Sequence, residues 1–217
     1  MNTVQARTNM VDNQLRTNRV NDPEVLAAMG TVPRELFLPK ALHGVAYADE
    51  NLHLPDGQFL VEPLVFARLL QAAAIGPDDI TLVVGCDTGY AAAVAAKLAA
   101  TVIFVQQNEE DATRIQPILD QLEADNVVTS VHANPAGGDP DQAPFDVIIV
   151  IGVVNTVPET LIDQLNDDGR LVAVEGSGRV GKGTLLTKIR GTAARTDLFD
   201  AHGPDFKGMQ SKTDFAF

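Results

Sequence analysis

The sequence has little cysteine and little histidine. Its 217 residues include one cysteine, Cys86, so an internal disulfide is excluded. The four histidines are far apart in the chain, at His43, His53, His132 and His202. Such wide spacing does not predict a metal site, because zinc ligands in proteins come in closely spaced sets.

Basic residues and long apolar runs are also scarce. Lys and Arg number 16 against 29 Asp and Glu, and the net charge of −13 disfavours a nucleic-acid partner because it repels phosphate. No apolar run approaches the ~20 residues of a membrane span, and residues 1–19 lack the apolar segment of a signal peptide. We therefore expect a cytoplasmic location. The 45% of hydrophobic residues is enough to build a core, so we expect one globular domain.

The segment Ile80–Ala99 is the one around which the rest of the chain is organised. It joins an apolar run to Gly85, Gly89 and an alanine-rich stretch. This order predicts a buried strand, a tight turn and the N-terminus of a helix. An α/β sheet presents backbone N–H groups to a ligand at such a turn.

Strand-like and helix-like segments alternate after residue 76, which predicts a mostly parallel sheet with helices on both faces. The predicted strands are 81–84, 101–105, 127–131, 146–150 and 170–174, and the predicted helices are 89–99, 109–122 and 158–165. Segments 184–189 and 192–198 predict an antiparallel end to this sheet. We expect residues 76–217 to form a Rossmann-like core and residues 1–75 a helical and loop cap on the same domain.

The cap contains two predicted helices, a long irregular segment and a third helix. Residues 4–20 and 24–29 have helical patterns, and the second helix is predicted to stop at Gly30. Breakers interrupt residues 40–61, and a long loop of this kind is often functional. Pro63 then begins a strongly apolar helix over residues 64–74.

Two further patterns are given structural interpretations. Residues 176–182 match most of a phosphate-binding P-loop, but Gly183 stands where Mg²⁺ needs Ser or Thr, so a hairpin turn is favoured. Cys86 lies in the loop before a helix, where a thiol can be reactive. No general base lies near it in sequence, which favours a small loop-filling residue.

Six short motifs, in order and at close to family spacing, resemble the protein-L-isoaspartate O-methyltransferase family. They are Val32-Pro-Arg-Glu-x-Phe-x-Pro39, Ala46-Tyr47-x-Asp49, Leu54-Pro-x-Gly57-Gln58 with Pro63, Gly85-x-x-x-Gly89-Tyr90, Ala143-Pro-Phe-Asp146 and Val157-Pro-x-x-Leu161-x-x-Gln164-Leu165. The resemblance covers about residues 9 to 175. It implies a class I methyltransferase fold and methyl transfer from S-adenosylmethionine to isoaspartyl carboxylates of damaged proteins.

The resemblance also implies which residues form the site. Those at the cofactor are Gly85, Cys86, Asp87, Gly89, Tyr90, Gln106 and Asn134, and those in the substrate cleft are Tyr47, Asp49, Gln58, Phe59, Leu60 and Val61. The family's hydroxyl residues at the point of methyl transfer correspond to Phe59 and Val61. No metal is implied.

Several polar positions of the family differ in this chain. The family's acidic residues correspond to Val83, Gln106 and Asn134, and Asp87 replaces a glycine. Two interpretations remain open. One is an active enzyme in which the amides of Gln106 and Asn134 replace carboxylates. The other is a non-catalytic relative that binds a peptide or another ligand, or acts as an assembly partner.

Overall fold

A computed structural model describes residues 2–55, 57–85, 88–177 and 180–206, apart from the side chains of Ser177 and Val180. Two short strands, β1 Leu52–His53 and β2 Phe59–Leu60, pair antiparallel as a separate hairpin. The main sheet has seven strands, whose bounds are β3 Ile80–Gly85, β4 Thr101–Gln106, β5 Val127–Val131, β6 Phe145–Val154, β7 Leu165–Ser177, β8 Val180–Ile189 and β9 Thr192–Ala201.

The strands of the main sheet lie in the order β5-β4-β3-β6-β7-β8-β9. The first five in this order are parallel, and β7, β8 and β9 pair antiparallel. The order reverses direction at β3, since β4 lies on one side and β6 on the other. The predicted α/β class, the central position of β3 and the antiparallel end are therefore confirmed. The antiparallel β7–β8 pair also confirms the hairpin interpretation of residues 176–182, although residues 178 and 179 lie outside the described residues.

Alternate side chains of the central strands enter two separate apolar clusters. Val83, Phe104 and Ile149 point to the larger cluster, and Leu82 and Val84 point to the smaller one. Because side chains alternate across a strand, this division follows directly from the near-continuous apolar sequence. Both faces of the sheet are thus covered.

Helices cover the two faces unequally. The larger cluster packs against α2 Pro23–Thr31, α3 Pro63–Ala73, α4 Tyr90–Ala95 and α5 Glu109–Gln121. Before them, α1 Thr3–Asn9 continues into a π-helix at Met10–Leu15 and a 3₁₀ turn at Arg16–Asn18. The smaller cluster packs against α6 Glu159–Asp163 and the 3₁₀ turn Pro135–Gly137. Two further 3₁₀ turns, Arg34–Phe37 and Lys40–Val45, lie in the cap.

Several helix boundaries differ from those predicted, and α6 Glu159–Asp163 is shorter at both ends than the predicted 158–165. Helix α2 continues through Gly30 to Thr31 and ends before Pro33, since the residue before a proline disfavours helical geometry. The single helix predicted over residues 4–20 is instead a succession of three helix types that ends at Arg19, which has φ 68°. Helix α4 stops at Ala95, four residues before the predicted end.

Candidate active site

The carboxyl end of β3 closely approaches the neighbouring strand. Gly85 has φ 136°, and a Cβ built on it would lie 2.0 Å from the carbonyl oxygen of Ile151 on β6. Any side chain here would collide with backbone, so glycine is required by the sheet itself. This need for glycine at position 85 marks the end of β3 and the start of the following loop.

The loop after β3 leads into α4. Cys86 and Asp87, both predicted at the cofactor, lie outside the described residues. Thr88 is 1% exposed, and its hydroxyl has no hydrogen-bond partner within the described part of the chain. Gly89 has φ 97° and precedes α4, and a Cβ on it would lie 2.9 Å from Cγ2 of Ile115. A buried unpartnered hydroxyl beside two conformationally required glycines offers a ligand one polar contact.

The side chain of Tyr90, the first residue of α4, lies in the core. Its ring centre lies 5.7 Å from that of Phe37 in an edge-on arrangement and 5.8 Å from that of Phe66 in a tilted one. The guanidinium of Arg34 lies 4.8 Å from the ring centre. Arg34 is fully buried and donates hydrogen bonds to the carbonyl oxygens of Ala46 and Val61, each at 2.7 Å. The ring of Tyr90 therefore joins the start of α4 to the cap.

The other two predicted cofactor residues lie at the ends of neighbouring strands. Gln106 is the last residue of β4 and is 4% exposed. Its carbonyl oxygen accepts a hydrogen bond from the backbone N–H of His132 at 2.9 Å. Asn134 is exposed and immediately precedes the 3₁₀ turn Pro135–Gly137. Gly85 and Gln106 thus end two adjacent parallel strands and Asn134 follows the third, at the carboxyl ends of the strands, where open α/β sheets bind ligands.

A polar cluster holds the loop that carries Asn134. Oδ2 of Asp139 lies 3.3 Å from Nε2 of His132, and Oγ of Ser130 lies 3.0 Å from the same nitrogen. Burial acts to raise the pKa of Asp139, but hydrogen bonds from Ser130 and His132 outweigh it and lower this pKa below its ordinary value. Gln164 accepts from the N–H of Asp139 at 2.9 Å and donates to the carbonyl oxygen of Gly137 at 2.7 Å.

Two of the predicted cleft residues, Phe59 and Val61, line an apolar cavity at the end of β6. The walls also include Ile151, the residue that pairs with Gly85. The polar side chains that line the cavity are those of Asn51 and His202. Leu60 is fully buried in the larger cluster. The cavity therefore lies at the same end of the sheet as the glycine loop.

The described lining of this cavity does not include the remaining predicted cleft residues, Tyr47, Asp49 and Gln58. Tyr47 is 8% exposed and donates its hydroxyl to Glu35, whereas Asp49 is exposed. Gln58 accepts a hydrogen bond from Arg114 of α5 at 2.7 Å. The β1–β2 hairpin is thereby fastened to the helix that follows β4.

One carboxyl group near the cavity has a raised pKa. Burial and the negative charge of Asp49 raise the pKa of Glu62, while His202 acts in the opposite direction. The backbone N–H of Glu62 donates to Oδ1 of Asn51 at 2.9 Å. This contact joins the start of α3 to the segment before β1.

Several residues around the site were not singled out from the sequence. Asn51 and His202 lack a motif of their own, and only folding brings residues 202–204 to the end of β6, where Pro204 accepts from the N–H of Val153. Ser130 and Asp139 likewise meet only when the loop after β5 closes. Gln164 did belong to a recognised motif, which was the one available signal.

Within residues 2–55, 57–85, 88–177 and 180–206, no cluster of three or more potential ligands suits a metal ion. The same residues contain no helix that is both long and apolar enough to cross a bilayer.

Comparison with known proteins places this architecture among methyltransferases. The sequence model of the protein-L-isoaspartate(D-aspartate) O-methyltransferase family matches residues 5–190. A protein-L-isoaspartate O-methyltransferase from Koribacter versatilis (strain Ellin345) is 40% identical over 204 residues, which cover 94% of this chain and 91% of that protein.

Two solved structures share the fold. A protein-L-isoaspartate O-methyltransferase matches 93% of this chain and 66% of its own length, with a TM-score of 0.80 and 22% identity. A candidate protein-L-isoaspartate O-methyltransferase from Plasmodium falciparum, in complex with S-adenosyl-L-homocysteine, matches 93% of this chain and 98% of its own length. Its TM-score is 0.77 at 21% identity.

Proposed function

Because the chain belongs to the protein-L-isoaspartate(D-aspartate) O-methyltransferase family, we propose that it transfers a methyl group from S-adenosylmethionine to isoaspartyl carboxylates of damaged proteins. The match over residues 5–190 carries this proposal, because it includes both the cap and the strands that end at the site. In this reaction a carboxylate oxygen bonds to the methyl carbon as the carbon–sulfur bond breaks, and S-adenosylhomocysteine is left.

The cofactor site in this proposal extends along the ends of β3, β4 and β5. Its residues are Gly85, Cys86, Asp87, Gly89, Tyr90, Gln106 and Asn134. The buried hydroxyl of Thr88, which lacks a partner among the described residues, supports the fit because a bound ligand would satisfy it. S-adenosylmethionine, when bound, supplies a methyl group already activated by a positively charged sulfur.

The substrate side is formed by Tyr47, Asp49, Gln58 and the apolar residues 59–61. Phe59 and Val61 offer no hydroxyl, so their contribution is to exclude water and to shape the cavity. Methyl transfer to a carboxylate needs little acid–base assistance, because the nucleophile is already ionised. Positioning of the two reactants is therefore the main requirement.

The proposal extends to the organisation of the chain and its location. Residues 1–75 act as a cap on the core formed by residues 76–217, which is supported by one apolar cluster that runs from Met10 to Ala201. A cytoplasmic location is supported by the single cysteine, since disulfides are common in secreted proteins. The alternative of a non-catalytic binding protein has no specific support among the described residues.

The activity is tested with S-adenosylmethionine labelled at the methyl group and two peptides of identical sequence, one with isoaspartate and one with aspartate. We expect base-labile label on the isoaspartyl peptide alone. Equal labelling of both peptides would contradict the substrate class. Binding of S-adenosylhomocysteine without any transfer would support the non-catalytic alternative.

The cofactor site is tested with a matched pair of threonine variants. Thr81 and Thr88 both have buried hydroxyls without a partner in the described residues, but Thr81 lies near the amino end of β3, away from the proposed site. Thr88→Val should weaken S-adenosylhomocysteine binding by about 2- to 10-fold in calorimetry, the value of one hydrogen bond, and Thr81→Val should not. Equal affinities for the two variants would exclude a ligand contact by Thr88.

A further inference from the structure

The loop between β5 and β6 is closed by its own side chains. Asp139 returns to within 3.3 Å of His132, seven positions earlier, and Ser130 lies 3.0 Å from the same ring nitrogen. A hydrolytic triad uses the two ring nitrogens for different partners. Here both contacts involve Nε2, so this geometry suits a structural clasp and not an activated nucleophile. We call Ser130, His132 and Asp139 the loop clasp.

The clasp encloses a carboxylate that is almost fully buried. The side chain of Asp139 is 3% exposed, against 32% for His132. A buried carboxylate is costly unless it is hydrogen-bonded, so this conformation of the loop depends on the side-chain donors Ser130 and His132, which the backbone N–H of Gln142 supplements. If Nε2 of His132 carries its proton, it donates to Asp139, and the Ser130 hydroxyl is free to donate to Asp139 as well.

The residues between the two ends of the clasp include Asn134. The carbonyl oxygen of Asn134 accepts from the N–H of Gly137 at 3.1 Å, and Gly137 is in turn held by Gln164. At the other end, the N–H of His132 donates to the carbonyl oxygen of Gln106 at 2.9 Å. The clasp thus fixes the turn at Asn134 relative to the end of β4.

We propose that Asp139 and His132 are positioning residues for the cofactor, since together they hold Asn134 in a fixed place beside Gln106. This inference rests on the proposed function, because it assigns a role to the turn at the same site. A preformed turn binds a ligand more tightly than one that must become ordered on binding. The cofactor affinity therefore depends on a pair of side chains that need not contact the cofactor.

The test compares Asp139→Asn with Asp141→Asn, an exposed aspartate two positions further along the loop. Calorimetry with S-adenosylhomocysteine should show at least about tenfold weaker binding for Asp139→Asn and no change for Asp141→Asn. Hydrogen exchange of the Gly137 and Gly138 amides should become faster only in Asp139→Asn. Ser130→Ala should also weaken S-adenosylhomocysteine binding and speed this amide exchange, but by smaller amounts. This variant replaces Asp139→Asn in the test if Asp139→Asn does not fold.

Kinetics separate positioning from a general loss of structure. In a folded clasp variant, KM for S-adenosylmethionine should rise while kcat at saturating cofactor stays near the wild-type value. Wild-type affinity in Asp139→Asn and Ser130→Ala, or unchanged exchange in both, would overturn the inference alone. A wild type that binds S-adenosylhomocysteine but never methylates the isoaspartyl peptide would overturn the proposed function alone, and absence of binding by the wild type would overturn both.

Discussion

The guanidinium of Arg34 lies 4.8 Å from the centre of the Tyr90 ring, and both side chains are fully buried. One belongs to the cap and the other to the first turn of the helix that follows the glycine loop. This contact couples the cap to the start of α4, and Arg34 also holds two segments of the cap through the carbonyl oxygens of Ala46 and Val61.

Replacing Arg34 should destabilise the protein strongly. Arg34→Ala removes two charge-assisted hydrogen bonds and leaves two backbone acceptors without this donor, so we expect a loss of about 3–5 kcal/mol in the free energy of unfolding. Chemical denaturation measures this. The exposed Arg16, paired with Asp12 at 3.3 Å, provides the control, and Arg16→Ala should cost less than about 1 kcal/mol. Similar losses for the two variants would refute the structural role of Arg34.

Gly85→Ala should prevent the normal pairing of β3 with β6. Its Cβ would lie 2.0 Å from the oxygen of Ile151, so β3 and β6 must separate, and we expect a loss of more than about 3 kcal/mol or failure to fold. A Cβ added to Gly44 would meet open space, with nothing within 4 Å beyond its chain neighbours, so Gly44→Ala should change stability by about 1 kcal/mol at most. Thermal unfolding of both variants distinguishes them, and a stable Gly85→Ala would contradict the observed approach of the two strands.

A carboxylate at the end of β4 should strengthen cofactor binding. Gln106→Glu provides an acceptor for two ribose hydroxyls, where an amide has one accepting oxygen, and we expect about 10- to 100-fold tighter binding of S-adenosylhomocysteine in calorimetry. Gln116→Glu, on the exposed face of α5, controls for added charge and should have no effect. Without ligand, the buried carboxylate of Gln106→Glu should lower stability. Unchanged affinity would remove Gln106 from the proposed cofactor site.

The stability of a Glu62 variant should depend on pH in a defined direction. The raised pKa of Glu62 means that the folded state binds its proton more tightly than the unfolded state does. The ionised form therefore destabilises the fold at neutral pH, and Glu62→Gln should raise the free energy of unfolding there. This gain should disappear as the pH falls below the ordinary value of 4.5. Denaturation at several pH values measures this change in the free energy of unfolding, with the exposed Glu50→Gln as the control. A Glu62→Gln variant less stable than the wild type at neutral pH would contradict the prediction.

Sequence patterns by themselves determined the sheet and where the proposed site would lie in it. The apolar run before Gly85 and the strand–helix alternation predicted β3 at the centre of a parallel sheet, because a strand buried on both faces must be apolar at every position. The positive φ angles of Gly85 and Gly89 then require glycine in the turn that follows β3. The motifs also marked residues whose roles are structural: Asp146 accepts from the N–H of Ile80 at 2.9 Å, and Gln164 holds the loop after β5.

Only the tertiary structure decided which polar side chains meet. Asp139 and His132 are separated by a loop without periodicity, and Asn51 and His202 line one cavity although they are far apart in the sequence. The tertiary structure also places the ring of Tyr90 in the core, where it contacts Phe37 and Arg34. Sequence periodicity reports burial against a regular element, whereas contacts between irregular segments depend on how the whole chain closes, and no local pattern encodes that.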